Sequence, residues 1–472
     1  MATPDLELCY LTATEALERF RKKTLSPVEL MRALIARTEQ VNPKLNALTY
    51  TYFDRALEQA KAAEAIYAKG GQARALEGLA VGIKDFHSVK GEITTYGSRI
   101  FKDFRPDNTA PTVERLLDAG GIMHLRTTTP EFAHSSVTNS PLWGATRNPW
   151  NQDYTAGGSS GGSGAAVAAG MTTLADGTDG GGSVRIPSSA CGLVGYKPPF
   201  GRNPLDREHP FETLLHYGPM THSVADAALM QNVMSGQHVA DACSLRERVT
   251  LPMTYPDIKG WKIAFTMDYG YFEVDREVQK NTRAAIEVLR GLGATVDEVP
   301  FDWNWSILDA WMVHWEGLFA GVASNLLPRM YEMDPFVLKV LERGMATSAA
   351  RFYQSNAVRG AMYNKLGPLF EQYQILCAPT LAVPAVKAEQ SNADPDFRIN
   401  GKKVYAYLGW QMTYAFNLVP QHPAITVPSG FASTGVPTGL HMVARTYDDM
   451  AVFQAAAAFE KAAPWRGKRP NL

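Results

Sequence analysis

Two runs rich in glycine and serine lie close together in the chain, and they constrain its fold more than any other feature. The first run is GGSSGGSG at 157–164, and the second run is GGGS at 180–183. Between them lies an apolar segment of small residues, AAVAAGM at 165–171. Glycines beside small apolar residues allow backbone segments to approach closely, whereas a flexible linker is polar on both sides. The pattern therefore favours two packed loops over a linker.

The first run also satisfies the G-x-S-x-G pattern of the nucleophile elbow in α/β-hydrolases, with GGSSG at 157–161. That elbow requires an apolar strand immediately before it. The preceding residues here are NPWNQDYTA at 148–156, which are polar and rich in turn formers. Because any run of Gly and Ser satisfies the pattern, this interpretation is disfavoured.

The second run has the composition of a loop that presents a serine nucleophile. Consecutive glycines directly before Ser183 leave several backbone N–H groups free to face one point, where they stabilise an oxyanion. A helix that starts after Ser183 would add positive potential at the same point. Asp179 and Arg185 flank the loop, and we expect them to form an ion pair that braces it. The alternative for this pair is a surface salt bridge.

Short apolar runs alternate with helical patterns along most of the chain. Ser26 and Glu29 form a capping-box pattern with Pro27 in the first turn, so the sequence predicts a helix that starts there. The runs LAVGIK at 79–84 and TLADGT at 173–178 have the length and composition of buried strands. This alternation is typical of an α/β protein with a mixed or parallel sheet.

We predict one large domain that spans residues 1–472, with a mixed β-sheet core surrounded by helices. The core holds the glycine-rich motifs and covers about 65–240 and about 375–460. The segment at about 300–375 has a helical pattern and is rich in Trp, Met and Phe, so we interpret it as a helical accessory layer. No linker rich in Pro and Ser divides the chain.

Charge, cysteine content and hydropathy exclude several classes of protein. The 46 basic and 47 acidic residues give a formal net charge of −1, which predicts no nucleic-acid partner. No apolar run of about 18 residues predicts a membrane span, and the N-terminus lacks the pattern of a secretory signal. The four cysteines are far apart and predict free thiols, which fits a cytoplasmic protein. We expect a monomer or homodimer that acts on a small molecule.

Metal and nucleotide chemistry are also not indicated by the sequence. The ten histidines are scattered, and neither a zinc-ligand spacing nor a phosphate-binding or dinucleotide motif is present. Cys191 is a possible nucleophile by residue type, but no pattern of His or Glu beside it supports activation. We therefore predict an enzyme without a metal or other cofactor and without a cysteine nucleophile.

Several separated segments resemble the amidase signature family in content and in order. They are GIKD at 82–85, ATRNPWN at 145–151, GGSSGGS at 157–163, DGGGSVRIPSSACG at 179–192 and FNLVPQHPAITVPSGF at 416–431. Agreement of several motifs is specific, whereas GGSSGG alone is not. The resemblance covers most of the chain and implies an α/β hydrolase of amides.

The resemblance implies a triad of two serines and a lysine. It places the nucleophile at Ser183, the proton relay at Ser159, preceded by a cis peptide bond, and the base at Lys84. A lysine has an ordinary pKa of about 10.4, and burial at the end of an apolar strand would lower it. A serine hydroxyl both accepts and donates a proton, so Ser159 suits a relay between the other two.

The resemblance also implies the residues around the triad. The oxyanion hole would consist of the backbone N–H groups of Gly180, Gly181, Gly182 and Ser183, with Ser160, Asp179 and Arg185 in support. The candidate pocket residues are Thr138, Trp311, Trp315, Tyr414 and Phe416. The alternative for the two tryptophans, which share a helical face, is packing of the accessory layer.

This chain departs from the family pattern at Gly180, where the family often has a larger residue, and at Ala156, where a proline is common. A glycine at position 180 either widens the pocket or loosens the loop. We expect hydrolysis of amides through an acyl-enzyme on Ser183, with esters, anilides and carbamates as adjacent substrates and a preference for bulky or aryl groups. The alternative function is the glutamine-hydrolysing subunit of a tRNA-dependent amidotransferase.

Overall fold

Strands form where short apolar runs lie between glycine, proline or polar turn residues. The computed structural model describes residues 4–207, 209 and 211–472. Within these residues the strands are β1 (Leu48–Thr51), β2 (Ala80–Lys84), β3 (Ile122–Thr127), β4 (Asn139–Ser140), β5 (Gly144–Ala145), β6 (Leu174–Thr178), β7 (Val194–Lys197), β8 (Tyr217–Thr221), β9 (Lys262–Phe265), β10 (Thr295–Glu298), β11 (Ile375–Pro379), β12 (Arg398–Ile399), β13 (Lys402–Lys403), β14 (Ala424–Phe431) and β15 (Pro437–Ala444).

Helices cover the segments with helical periodicity, and the capping box at Ser26 and Glu29 starts one of them as predicted. The α-helices are α1 (Leu6–Cys9), α2 (Ala13–Arg21), α3 (Pro27–Leu45), α4 (Phe53–Ala68), α5 (Pro111–Asp118), α6 (Gly161–Ala168), α7 (Arg185–Cys191), α8 (Val224–Met234), α9 (Arg276–Gly291), α10 (Ser306–Ala323), α11 (Pro335–Ala346), α12 (Ala349–Gln372), α13 (Ala415–Leu418) and α14 (Asp449–Ala462). Short 3-10 helices lie at Arg99–Phe101, Glu131–Ala133 and Ser324–Glu332.

Eleven of the described strands form one mixed sheet, which confirms the predicted fold class. Their order is β1-β3-β2-β6-β8-β7-β14-β15-β11-β9-β10. Strands β3, β2 and β6 run parallel at one side, and β11, β9 and β10 run parallel at the other. The strands between them pair in antiparallel fashion. The parallel group β3-β2-β6 carries polar side chains at its carboxyl edge, which is where open α/β sheets place their sites.

The first run is only partly a loop, because α6 begins at Gly161 and takes in its second half. A helix forms there despite the glycines because its backbone packs directly on a neighbouring segment. A Cβ atom at Gly162 would clash with the backbone nitrogen and the hydroxyl of Thr128. Close approach of two backbones therefore requires glycine at this position.

The segment predicted as an accessory layer contains α10, the 3-10 helix Ser324–Glu332, α11 and α12. Helix α10 packs against both α11 and α12. The buried tryptophans of α10 belong to the same hydrophobic cluster as strands β9, β11, β14 and β15. Among the described residues, no helix combines the length and the apolar character that crossing a membrane requires.

Candidate active site

Lys84 is the last residue of β2, and its amine lies in the interior of the protein. The side chain is fully buried. Strand β2 runs parallel to β6, so Thr178 at the end of β6 lies beside it. The Nζ atom of Lys84 lies 2.7 Å from the Oγ atom of Ser159 and 2.7 Å from the Oγ1 atom of Thr178. The ends of β2 and β6 therefore place the lysine amine within hydrogen-bond distance of a serine hydroxyl.

Burial sets the protonation state of this amine. Burial lowers the pKa of Lys84 well below its usual 10.5, and the carboxyl groups of Asp176 and Asp179 oppose that effect. Asp176 is a weak counter-charge, because burial raises the pKa of its own carboxyl group to about 7. Burial therefore shifts this lysine towards the neutral amine, which is the form that can accept a proton.

Ser159 follows a cis peptide bond between Gly158 and Ser159, as the family resemblance implies. Its side chain is buried, and its hydroxyl faces the amine of Lys84. Thr138 holds the surrounding backbone. The Oγ1 atom of Thr138 donates to the carbonyl of Gly157 over 2.9 Å and accepts from the N–H of Gly161 over 3.1 Å.

Ser183 ends the second run, two residues before α7 begins. Its hydroxyl makes no hydrogen bond to any residue that the structure describes. Ser160 connects this serine to the first run, since the N–H of Ser160 donates to the carbonyl of Ser183 over 3.4 Å. The hydroxyl of Ser160 also accepts from the N–H of Thr178 over 3.2 Å. The two runs are therefore joined to each other and to the end of β6.

The glycine loop, Gly180–Ser183, has four backbone N–H groups that donate to no acceptor within the described chain. The carbonyls of the same four peptide units are all engaged on the opposite side. The carbonyl of Asp179 accepts from the N–H of His216 and from Nδ2 of Asn417, and the carbonyl of Gly182 accepts from the N–H of Ile186. The carbonyl of Gly180 accepts from Nε1 of Trp311, and the carbonyl of Gly181 accepts from Oγ1 of Thr413. In a trans peptide the N–H points away from the C=O. Because the four carbonyls are anchored on one side of the loop, the four N–H groups are left free on the other side.

Glycine is required within this loop for its backbone conformation. Gly182 has a φ of +129°, which L side chains rarely adopt. A Cβ atom at this position would also clash with the hydroxyl of Thr413. Four unpaired donors in one loop are the arrangement that binds developing negative charge on a carbonyl oxygen.

Asp179 and Arg185 form a buried ion pair beneath the glycine loop. Both side chains are fully buried, and Arg185 donates to the two carboxylate oxygens over 2.8 and 2.9 Å. Burial acts to raise the pKa of Asp179, but the guanidinium of Arg185 and the amide of Asn417 outweigh burial and lower it. The surface alternative for this pair is therefore wrong, and the pair joins the start of the loop to the first residue of α7.

An apolar cavity of about 270 Å³ opens above these groups. Its polar lining includes Ser159, Thr178 and Ser183. Its walls are mostly aromatic and aliphatic, and they comprise Phe86, Tyr96, Phe101, Phe104, Phe132, Trp315, Leu318, Phe319, Val322 and Leu326. Within the described residues, no Asp, Glu, Lys or Arg side chain is part of the lining. His209 also lines it and is neutral, because burial lowers its pKa to about 4.

A model of the Amidase family matches residues 29–453, which is most of the chain. The chain belongs to the amidase signature family. Within the described residues, no cluster of three or more His, Cys, Asp or Glu side chains is arranged to hold a metal ion.

The relatives of this amidase include two functional groups. An acylamidase from Rhodococcus erythropolis is 35% identical and aligns with 99% of this chain and 98% of its own length. One subunit of a glutamyl-tRNA(Gln) amidotransferase from Chloroflexus aggregans is 32% identical and aligns with 99% of both chains. A crystal structure of a bacterial aryl acylamidase superimposes with a TM-score of 0.91, with 31% identity and 97% coverage of each chain. The family and these relatives support amide hydrolysis by this chain.

Only one of the five predicted pocket residues of this amidase lines the cavity, and that residue is Trp315. Trp311 lies behind it, with the two rings stacked 5.1 Å apart. The hydroxyl of Tyr414 pairs with that of Tyr271 over 3.0 Å, and Phe416 packs in the core against Trp303.

The placement of Thr138, Trp311, Tyr414 and Phe416 in the pocket wall is therefore corrected. Thr138 is fully buried and bonds to the backbone of the first run. Trp311 stacks on the wall residue Trp315, and Tyr414 and Phe416 are buried in the hydrophobic core. Cys191 is also buried, and burial raises the pKa of its thiol, as expected of a cysteine without a nucleophilic role.

Several functional residues of this amidase were not found by sequence reasoning. Phe86 lines the cavity two residues after Lys84, so its proximity along the chain was a usable signal. Thr178 binds the lysine amine, and its position at the end of a strand beside β2 was a second signal. Phe101 and Phe132 lie on short 3-10 helices that no periodic pattern marks.

Proposed function

We propose that this amidase hydrolyses amides of uncharged, apolar acyl groups, aryl amides among them, through an acyl-enzyme on Ser183. The observation that carries the proposal is the apolar cavity directly above Ser183 and Ser159, without a charged side chain among its described lining. The similarity to an acylamidase and to an aryl acylamidase supports the same substrate class.

The first half of the proposed reaction transfers the acyl group to the enzyme. Ser183 Oγ attacks the amide carbon while its proton moves to Ser159 Oγ, and the proton of Ser159 moves to Lys84 Nζ, 2.7 Å away. The C–N bond then breaks. The leaving amine takes a proton from Ser159, which recovers one from Lys84, and the neutral lysine is regenerated.

The second half releases the acyl group as an acid. A water molecule attacks the ester on Ser183, its proton follows the same path to Lys84, and the proton returns to Ser183 Oγ as the ester bond breaks. One amide and one water thus give one carboxylic acid and one amine. In both halves the carbonyl oxygen becomes negative beside the N–H groups of the glycine loop, and one such donor contributes roughly 3–4 kcal/mol to the transition state.

The apolar cavity determines which acyl groups fit. An apolar side chain gains about 25 cal/mol for every Å² removed from water. A charged acyl group would lose its hydration without an ionic partner, which costs several kcal/mol. Esters, anilides and carbamates with apolar acyl groups present the same carbonyl to Ser183, so we include them as adjacent substrates.

A second candidate function is hydrolysis of glutamine for a tRNA-dependent amidotransferase, which the 32% identity to the Chloroflexus aggregans protein favours. Glutamine carries an ammonium and a carboxylate group close to its side-chain amide. The cavity offers neither charge an ionic partner among its described lining residues. The cavity therefore favours the apolar amides over glutamine.

The test is a hydrolysis panel with the purified chain and its Ser183→Ala variant. The panel contains anilides of butyric, benzoic and phenylacetic acid, the matching methyl esters and carbamates, and L-glutamine, with release of aniline, alcohol or ammonia measured. We expect turnover of the apolar anilides by the wild-type chain alone. Hydrolysis of glutamine with no turnover of any anilide would overturn the proposal in favour of the second candidate.

A further inference from the structure

The two middle carbonyls of the glycine loop are held by side chains from distant parts of the chain. Trp311 Nε1 donates to the carbonyl of Gly180 over 3.0 Å, and Thr413 Oγ1 donates to the carbonyl of Gly181 over 2.6 Å. The outer two carbonyls are bound mainly by backbone N–H groups and Asn417. The two middle peptide units therefore depend on single side-chain donors.

These two peptide units carry the N–H groups of Gly181 and Gly182. Because N–H and C=O are antiparallel in a trans peptide, a donor that holds the carbonyl outward also holds the N–H inward. Peptide units between consecutive glycines rotate at little steric cost. A rotated unit would bring a carbonyl oxygen towards the developing oxyanion, which repels it.

Solvent cannot easily replace either donor. Trp311 and Thr413 are buried, with 3% and 0% of their surface exposed. Trp311 is further fixed by its stack with Trp315, whose own indole N–H donates to the hydroxyl of Tyr407 over 3.0 Å. A loss of either donor would leave a buried carbonyl without a partner, which favours rotation of that peptide unit.

We propose that Trp311 and Thr413 are positioning residues that hold the N–H groups of Gly181 and Gly182 towards the reacting carbonyl oxygen. Neither side chain lines the cavity. The inference rests on the proposed function for the identity of the reacting group. Helix α10, which carries Trp311, would then stabilise the transition state as well as form part of the cavity wall.

The variants Trp311→Phe and Thr413→Val remove the two donors and keep most of the side-chain volume. Matched controls are Trp303→Phe and Thr282→Val. Both control side chains are buried, and neither the Trp303 indole nitrogen nor the Thr282 hydroxyl has a hydrogen-bond partner among the described residues. Thermal denaturation shows whether each variant is folded, and two independent donors keep the test valid if one variant is not.

Three readouts separate positioning from a general loss of structure. They are kcat for the best anilide, KM for the same anilide, and the rate at which a fluorophosphonate labels Ser183. Removing one direct oxyanion donor lowers kcat by roughly 100-fold or more, so loss of its positioning should lower kcat and the labelling rate by about tenfold. KM should stay within about twofold of the wild type.

Two results would overturn the inference. One is a folded Trp311→Phe and a folded Thr413→Val that both retain the kcat and labelling rate of their controls. The other is an effect confined to binding, in which KM rises while kcat and the labelling rate equal those of the controls. A wild-type chain that hydrolyses no anilide but is labelled at Ser183, with tenfold slower labelling in the variants, would refute the proposed substrate class and leave the positioning role in place.

Discussion

Replacing Lys84 by methionine tests whether the buried amine is a neutral base. Lys84 is fully buried, and burial lowers its pKa well below the usual 10.5. Methionine is unbranched, similar in length and not ionisable, so it fills the same space without the amine. We expect this substitution to lower the activity and to raise the stability of the protein.

The gain in stability follows from the cost of deprotonation. Holding an amine with a usual pKa of 10.5 neutral at pH 7.5 costs up to about 4 kcal/mol, since a pKa change of 1 corresponds to about 1.4 kcal/mol. The variant also loses hydrogen bonds to Ser159 and Thr178, at about 1 kcal/mol each. We therefore expect Lys84→Met to unfold with a free energy that is higher than that of the wild type by up to about 2 kcal/mol at pH 7.5.

The pH dependence of this gain has a defined sign. The folded pKa of Lys84 lies below the unfolded pKa, so the folded wild type binds fewer protons between those two values, and its stability rises with pH in that window. The difference in free energy of unfolding between the variant and the wild type should therefore decrease by about 1.4 kcal/mol for each pH unit as the pH rises towards 10.5. Urea denaturation of both proteins at pH 7, 8 and 9 measures this difference.

The loss of activity follows from removal of the base. General acid–base catalysis contributes about 10²–10⁴-fold, so kcat/KM of Lys84→Met should fall by that factor. Lys197→Met is the matched control. Lys197 is also fully buried with a pKa lowered by burial, and the acceptors of its amine among the described residues are the carbonyls of Pro198 and Pro420. It should gain stability with the same trend and keep its activity.

The reasoning is refuted if Lys84→Met retains near-wild-type turnover, or if its stability relative to the wild type does not change between pH 7 and pH 9. The first result would remove Lys84 as the base. The second would mean that the amine is charged in the folded protein, so that the carboxyl groups of Asp176 and Asp179 outweigh the effect of burial.

Four further perturbations test other parts of the site. Gly180→Ala should raise KM about tenfold for bulky aryl amides and little for acetamides, because its Cβ atom would lie 3.1 Å from Cζ3 of Trp315; equal changes in steady-state assays would contradict this. Arg185→Met should lower the free energy of unfolding by about 3–5 kcal/mol in urea, since Asp179 would remain as a buried charge; an unchanged midpoint would refute the bracing role. Ser183→Ala should abolish fluorophosphonate labelling in a folded protein, and persistent labelling would place the nucleophile elsewhere. Dialysis against EDTA should leave turnover unchanged, whereas a loss reversed by zinc would reveal a metal site.

Local patterns predicted those parts of the site that depend on nearby residues. The glycine loop and the flanking Asp179 and Arg185 lie within seven positions of each other, so the ion pair could be expected from spacing. The strand that ends at Lys84 was evident from its apolar run. Ser159 and Lys84 are 75 positions apart, and only the family resemblance joined Ser159 to the amine before the structure showed their contact.

The cavity wall could not be predicted in the same way, because it depends on packing between distant elements. Trp311 and Trp315 lie one helical turn apart on the same face of α10, so helical periodicity predicts the same environment for both side chains. In the structure Trp315 meets the cavity, while Trp311 lies one turn earlier and meets the carbonyl of Gly180. The difference depends on how α10 sits on the glycine loop, which no local pattern records.

The two parts of the site therefore have different structural origins. Lys84, Thr178 and the ion pair beneath the glycine loop are held by the ends of adjacent strands and by buried charges, so under the proposed function we expect changes to them to alter the reaction rate. Much of the cavity wall comes from α10 and the short 3-10 helices, where we expect substitutions to change the preferred substrate without moving those groups. This division is consistent with the nearly equal similarity of an acylamidase and an amidotransferase subunit to this chain, at 35% and 32% identity. Trp311 lies where the two parts meet, so substitutions along α10 that improve the fit of a new acyl group should lower kcat whenever they displace its indole N–H.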